Sequence, residues 1–315
     1  MAPAVPIRVG TAGWAYEDWN SIVYPERPGR GFDRLGLMAS LFDTNEINST
    51  FYRIPTPRQT ADWARRVEHN PRFAFTAKLY RGFTHEWKAG AAEEKAFGEA
   101  IAPLASAGRL GCVLAQFPFS FHNTAENRGR LEGLLARLPR FPTAVEFRHA
   151  SWNTAQTREI LSRLGAAFVN IDQPDLDGNL PATDLVTAPL AYFRFHGRNA
   201  PKWFGPDTSN EQRYNYLYSE EELAPWVERI RGAGPSVEAL TAGDGTKGSI
   251  YAILNNHFRG QAVANAIELN SALTGARPEI PSTLADVYPR LARVVPTKDP
   301  PGQRPLFGSR QGGAR

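Results

Sequence analysis

Glu46 and Asn48, Thr76 and Lys78, Glu146 and Arg148, Asn170 and Asp172, and Arg194 and His196 are polar residues two positions apart, each pair closing a short apolar run. Side chains alternate along a strand, so positions two apart share a face. The residues between them are apolar: Ile47, Ala77, Phe147, Ile171 and Phe195. If the runs are strands, the apolar set packs on covering helices and the polar set converges at one end of the sheet. Gln116 and Asn255 end two further runs and join the polar set. Charges of both signs are costly to bury unless mutually paired. They are therefore expected at an open rim, where a substrate can meet them. The alternative is a network of ion pairs that closes the end of the fold.

The residue types suit acid–base chemistry on an anion. Glu46 and Glu146 are candidates for general base and acid, with Lys78 and His196 as partners that tune them and Asp172 as a further carboxylate. The planar forks of Arg148 and Arg194 match phosphate or carboxylate. Lys78 is also a candidate for a Schiff base, although nothing in the sequence marks a depressed pKa. Asn48, Tyr52, Gln116, Asn255, Trp14 and Tyr16 are expected to complete substrate binding, and no cofactor is expected. A second reading is a divalent-metal hydrolase with Glu46, Glu146, Asp172 and His196 as ligands. The positive charge of Lys78, Arg148 and Arg194 in the same space argues against it, and no metal ligand is assigned. A third reading is nucleic-acid binding or processing, with rings stacked on an extruded base. Glu46→Gln and Arg194→Ala are expected to leave folding largely intact while abolishing ligand binding. A Gly-x-Ser-x-Gly elbow and a dinucleotide fingerprint after the first strand are both absent.

The elements that must position these residues follow from periodicity. Strands are expected near 7–11, 42–48, 72–78, 111–117, 143–148, 167–172, 190–196 and 249–254. Helices are expected over 33–41, 57–68, 93–107, 127–138, 153–164, 220–232 and 260–274. Eight strands with intervening helices point to one α/β domain, a (β/α)8 TIM-type barrel over 1–295, with an open doubly wound sheet as the alternative. On a barrel of this type sites lie at the C-terminal rim. The loops leaving that rim are long and aromatic: Trp14, Tyr16, Trp19 and Tyr24 in the first, Phe51 and Tyr52 in the second, His85 and Trp87 in the third, Phe119 and Phe121 in the fourth. The seventh, 197–219, carries Trp203, Phe204, Arg213, Tyr214, Tyr216 and Tyr218 and is a candidate lid. The stretch 241–248 is expected as a surface turn at the opposite end.

The chain has 315 residues and a formal charge of +4, a sign that fits an anionic partner and equally many others. Its single cysteine, Cys112, excludes an internal disulfide and suits a reducing compartment. With neither a secretory signal at the start nor a run of about 18 apolar residues, the expected location is the cytoplasm, away from membranes. From 296 to 315 the composition turns to Pro, Gly and basic residues, and a disordered tail is expected. Within it, Gln303-Arg-Pro-Leu-Phe307 resembles the Gln-x-x-Leu-Phe pentapeptide by which bacterial partners dock on the replicative sliding clamp. Arginine stands where that peptide usually has leucine. Gln303, Leu306 and Phe307 are thus candidate clamp contacts, against the alternative of a chance string.

Several segments together resemble one family: Gly10-Thr-Ala-Gly-Trp-Ala-Tyr16, Glu46-Ile-Asn-Ser-Thr-Phe-Tyr52, Ala115-Gln-Phe-Pro-Phe-Ser-Phe121, Val145-Glu-Phe-Arg-His149, Phe193-Arg-Phe-His-Gly197 and Arg213-Tyr-Asn-Tyr-Leu-Tyr-Ser219. Asn255-Asn256 and Ala264-Asn265-Ala266 fit as well. The chain is similar in these to the YecE-like family, domain of unknown function 72 (DUF72), up to about the last helix. Phe119 departs from it, where the family often has proline. The resemblance implies a TIM-type barrel and supplies no reaction, substrate or cofactor.

Overall fold

The computed structural model describes residues 5–138, 141–204, 210–242 and 248–298. Strands and helices alternate as β1 (Ile7–Ala12), α1 (Arg34–Leu41), β2 (Thr44–Ile47), α2 (Ser49–Tyr52), α3 (Pro57–Arg66), β3 (Ala74–Lys78), α4 (Ala91–Ser106), β4 (Leu110–Gln116), α5 (Ala125–Arg137), β5 (Thr143–Glu146), α6 (Ala155–Arg163), β6 (Ala166–Asp172), β7 (Leu190–Phe195), α7 (Asn210–Arg213), α8 (Glu220–Thr241), β8 (Ser249–Leu254) and α9 (Gln261–Thr274). β1 to β8 form a closed barrel of parallel neighbours, and β8 pairs back onto β1 from Ile7↔Ile250 to Thr11↔Leu254. This is the expected (β/α)8 barrel, and it excludes the open sheet. The stretch 173–189 between β6 and β7 carries no helix.

Helix starts are written locally. Thr56 and Gln59 form a reciprocal capping box before α3, with Pro57 in its first turn. Ser219 and Glu222 do the same for α8, and Asp33, Thr124 and Thr154 accept backbone N–H groups at the starts of α1, α5 and α6. α8 was expected to stop at 232 and instead continues through Pro235 to Thr241. Ala233 and Val237 are buried, so packing holds the helix past a residue that disfavours it.

Paired residues on adjacent strands share a face, so the ladder fixes which side chains enter the barrel. Glu46 pairs with Thr76, and Thr76 with Cys112. Gln116 pairs with Glu146. Arg194 pairs with Ile171 on one side and Ile253 on the other. Arg194 reaches across to β2 and β5, which marks this face as the interior. The opposite parity, including Val113, Val145, Phe193 and Phe195, is buried against the helices. Cys112 is sealed in the interior, and burial raises its thiol pKa.

β6 departs from the expected pattern. Because Ile171 lies beside Arg194 and Val169 beside Tyr192, the interior residues of β6 are the apolar ones. Asn170 and Asp172 therefore point out of the barrel. Around the domain boundary expected at 295, β9 (Ile280–Pro281) pairs with β10 (Thr297–Lys298), and α10 (Ser282–Val287) follows β9. Gln303, Leu306 and Phe307, like most of the glycine-rich stretch before β8, lie outside the described residues. Among the described residues no helix is long and apolar enough to cross a membrane.

Candidate functional site

Inside the barrel the charged side chains form a closed floor. Arg194 donates from Nε and Nη2 to the two oxygens of Glu46, at 2.9 and 2.7 Å, and from Nη1 to Glu146 Oε2 at 3.0 Å. The Tyr192 hydroxyl donates to Glu46 Oε2 at 2.8 Å and lies 2.9 Å from the Thr76 hydroxyl. Glu146 Oε1 sits 2.6 Å from Arg148 Nε and 3.2 Å from His196 Nε2. The Asn255 amide nitrogen lies 3.1 Å from His196 Nδ1, an arrangement that leaves the imidazole proton on Nε2 facing Glu146. Glu46, Glu146 and His196 are fully buried and Arg194 is 2% exposed.

Electrostatics agrees with geometry. Burial opposes ionisation of Glu146, but Arg148, Arg194 and His196 outweigh it and hold the carboxyl well below the usual range. Burial likewise opposes the Arg194 charge, and the two glutamates more than restore it. His196 is driven toward its neutral form by burial and then by Arg148. The floor is thus a set of close ion pairs, although Glu146 Oε1 and Arg148 Nε lie near one another without hydrogen-bond geometry, and neither glutamate nor His196 lines the two chambers above it. The glutamates expected to meet the substrate and the arginine expected to clamp its anion are paired with one another in the floor.

Asp172 does not join this cluster. Its carboxylate accepts from Arg198 at 2.9 and 2.6 Å, from the Tyr218 hydroxyl at 2.7 Å and from the Trp226 indole at 2.7 Å. It anchors the seventh loop and α8 to the outside of β6. Among the described residues no group of three or more His, Cys, Asp or Glu side chains is placed to hold a metal ion. Of the metal ligands considered, Asp172 faces away from the other three and both glutamates are engaged by arginine.

Above the floor lie two chambers. The larger, about 740 Å³, is lined by Trp14, Tyr16, Asn48, Tyr52, Trp63 and Tyr214, with Arg194, Asn255 and His257 deeper in it. Tyr16 stacks on His257 at 4.5 Å between ring centres, and its hydroxyl donates to the Ala12 carbonyl. Trp14 packs edge-on against Trp63. The smaller, about 340 Å³, is lined by Arg81, His85, Gln116, Arg148, Trp203 and Arg213, together with Phe51, Pro118, Phe119, Gln173 and Phe204. Lys78 and Tyr214 line both.

Lys78 ends β3 one inward step above Thr76, which puts it over the floor rather than in it. Its ammonium sits 4.1 Å from the centre of the Phe51 ring. Among the described residues no carboxylate comes within ion-pair distance of it; the ion pairs of the floor are made by Arg148 and Arg194. Burial, then the charge of Arg194, lowers its pKa to about 7, against the pull of Glu46 and Glu146 and with a further push from Arg148. His85 beside it is lowered to about 4 by burial, Lys78 and Arg81, so it is neutral near pH 7.

Of the expected site residues, Trp14, Tyr16, Asn48, Tyr52, Lys78, Gln116, Arg148, Arg194 and Asn255 line these chambers, while Glu46, Glu146 and His196 lie beneath them and Asp172 lies outside. Trp63 and His257 line the larger chamber without having been assigned from the sequence. Arg81, His85, Arg213 and Tyr214 were likewise left out of the site. Arg213-Tyr214 opens one of the family segments, a signal that pointed to them. The seventh loop turns at Gly197, whose φ is +86° and where an added Cβ would stand 2.6 Å from Tyr216 Cβ, so a side chain is excluded. Asn199 donates to the Gln212 and Asn215 carbonyls across it.

The profile of the family described as "Protein of unknown function DUF72" matches residues 8–288. The chain belongs to the DUF72 family. A DUF72 family protein from Thermotoga maritima, solved by crystallography, superposes with a TM-score of 0.72 at 35% identity, over 85% of this chain and 99% of that one. One from Enterococcus faecalis superposes at 0.71 and 28% identity, over 85% and 95%. The UPF0759 protein YunF of Bacillus subtilis is 27% identical over 278 residues, 84% of this chain and 93% of that protein. The DUF72 match spans every barrel strand and both chambers.

Proposed function

We propose that this DUF72 protein is an enzyme that performs acid–base chemistry on an anionic substrate, with Lys78 moving the proton and the arginine-lined chamber holding the anion. The observation that carries this is the placement of Lys78. It stands where the two chambers meet, without a carboxylate partner among the described residues and with a pKa lowered to about 7. A group that titrates near the working pH transfers protons in both directions most effectively. The smaller chamber supports the anion half. Lys78, Arg81, Arg148 and Arg213 line it, and no Asp or Glu does among the described residues. Glu86 and Glu146 each stand within ion-pair distance of one arginine at its Nε, at 2.7 and 2.6 Å, and Arg148 Nη1 faces Gln173 Oε1 at 3.5 Å. The larger, ring-lined chamber suits the uncharged remainder of the substrate, a sugar or a planar ring. A nucleotide or a short single strand falls within that description.

The test is calorimetric titration with inorganic phosphate, pyrophosphate, sugar phosphates, nucleotides and a single-stranded oligonucleotide. Arg213→Met and Arg81→Met change residues outside the floor. Each should weaken anion binding about tenfold, the loss of one charge-assisted hydrogen bond. A wild-type protein that ignores millimolar anions, or variants that bind as tightly as it does, would overturn the reading.

A further inference from the structure

We propose that Lys78 is the nucleophile of an imine-forming step, and that its substrate is a carbonyl compound carrying a phosphate or carboxylate. The inference rests on the anion reading above and goes beyond proton transfer. A lysine becomes a nucleophile at neutral pH when it is desolvated and set beside other cations. Lys78 meets both conditions. Phe51 covers it on one side, Arg194 lies below, and Arg148, Arg81 and His85 line the same chamber. Glu46 and Glu146 are the carboxylates that act most on it among the described residues, and Arg194 is paired with both of them.

The step balances within the site. The amine lone pair attacks the carbonyl carbon, and the carbon–oxygen π pair moves to oxygen to give a carbinolamine. Two protons pass to that oxygen, one from the amine nitrogen and one from solvent, and water leaves as the carbon–nitrogen double bond forms to give the protonated imine. The neutral His85 ring, whose Nδ1 lies 2.9 Å from the Thr84 hydroxyl, is the adjacent group able to relay the proton. The protonated imine then accepts the electron pair of a carbon–hydrogen bond broken at the neighbouring carbon, whose proton leaves to solvent, to give an enamine that is reprotonated on carbon. Hydrolysis returns the free lysine. No oxidant or reductant is required.

The surroundings also select the substrate. A cationic imine is disfavoured beside arginines unless a negative charge arrives with it, and three of them, Arg81, Arg148 and Arg213, line the small chamber. The substrate must therefore bring its own anion within a few bonds of the carbonyl. An oxo acid or a phosphorylated aldehyde or ketone satisfies this, whereas a neutral carbonyl compound does not.

The experiment treats the full chain at pH 7 with pyridoxal 5′-phosphate, as a phosphate-bearing aldehyde, and separately with pyruvate. Sodium borohydride reduces any imine, and peptide mass spectrometry maps it. About half of Lys78 is neutral at pH 7, against roughly one part in 3,000 for an amine at 10.5. Allowing for its weaker basicity, Lys78 should label on the order of 100-fold faster than the exposed Lys88, Lys95 and Lys202. Inorganic phosphate should slow it, and Lys78→Arg should abolish the adduct while phosphate still binds. Labelling of Lys78 no faster than the exposed lysines, in a protein that binds phosphate, would overturn the imine and leave the anion reading standing. An adduct that phosphate does not slow would overturn the placement of the anion. No phosphate binding at all would remove the anion reading itself.

Discussion

Arg194→Met tests whether the barrel floor is structural. The substitution keeps most of the side-chain volume and removes the guanidinium. Glu46 then loses both arginine hydrogen bonds and keeps only the Tyr192 hydroxyl, while Glu146 keeps Arg148 and His196. Breaking a buried pair from one side costs about 3–5 kcal/mol, because a charge is left without compensation. In a domain of this size that corresponds to a fall in Tm of roughly 5–15 °C. Thermal unfolding near neutral pH measures this. Adding Glu46→Gln should recover part of the loss, with a coupling of about 1–3 kcal/mol. A loss below about 1 kcal/mol would refute the account of the floor as a set of mutually dependent charges.

Two further outcomes follow from the same geometry. Lys78 is depressed to about 7 from 10.5, so between those values the unfolded chain binds the extra proton and stability should climb with pH; Lys78→Met should flatten that slope in urea titrations at pH 7, 8.5 and 10. Asp172→Asn strips charge from a carboxylate that accepts from Arg198, Tyr218 and Trp226, and should cost about 1–3 kcal/mol in denaturant unfolding. Phosphate affinity of the folded Asp172→Asn variant should stay within twofold of wild type, and a large loss would return Asp172 to the site.

The barrel strands were legible because each is a short β-branched or aromatic run bounded by turn residues, as in 166–172 and 190–195. Parity within a strand was legible too, and it brought Glu46, Lys78, Glu146 and Arg194 onto one face. Two things were not. The sense of each face depends on the neighbouring strand's register, and Ile171 beside Arg194 turns Asn170 and Asp172 outward although their spacing matches the other pairs. Depth is also invisible, since spacing cannot distinguish Glu46, level with Thr76, from Lys78 one inward step higher. That difference separates an ion pair in the floor from an amine in the cavity. Trp63 on α3 and His257 after β8 reach the larger chamber from elements whose own patterns carry no sign of it.

Cys112 gives the barrel a built-in clock. The sole thiol of the chain lies inside the barrel beside Thr76, with no exposed surface and an ionisation held back by burial. A thiol reagent cannot reach it through either chamber while the floor is shut. Its modification should therefore proceed at the pace of barrel opening, and under reclosing that is fast relative to labelling the rate reads the opening free energy directly. Ligands that close the chambers slow this clock only through the stability they add, so one spectroscopic trace per compound ranks them by affinity without any knowledge of the reaction.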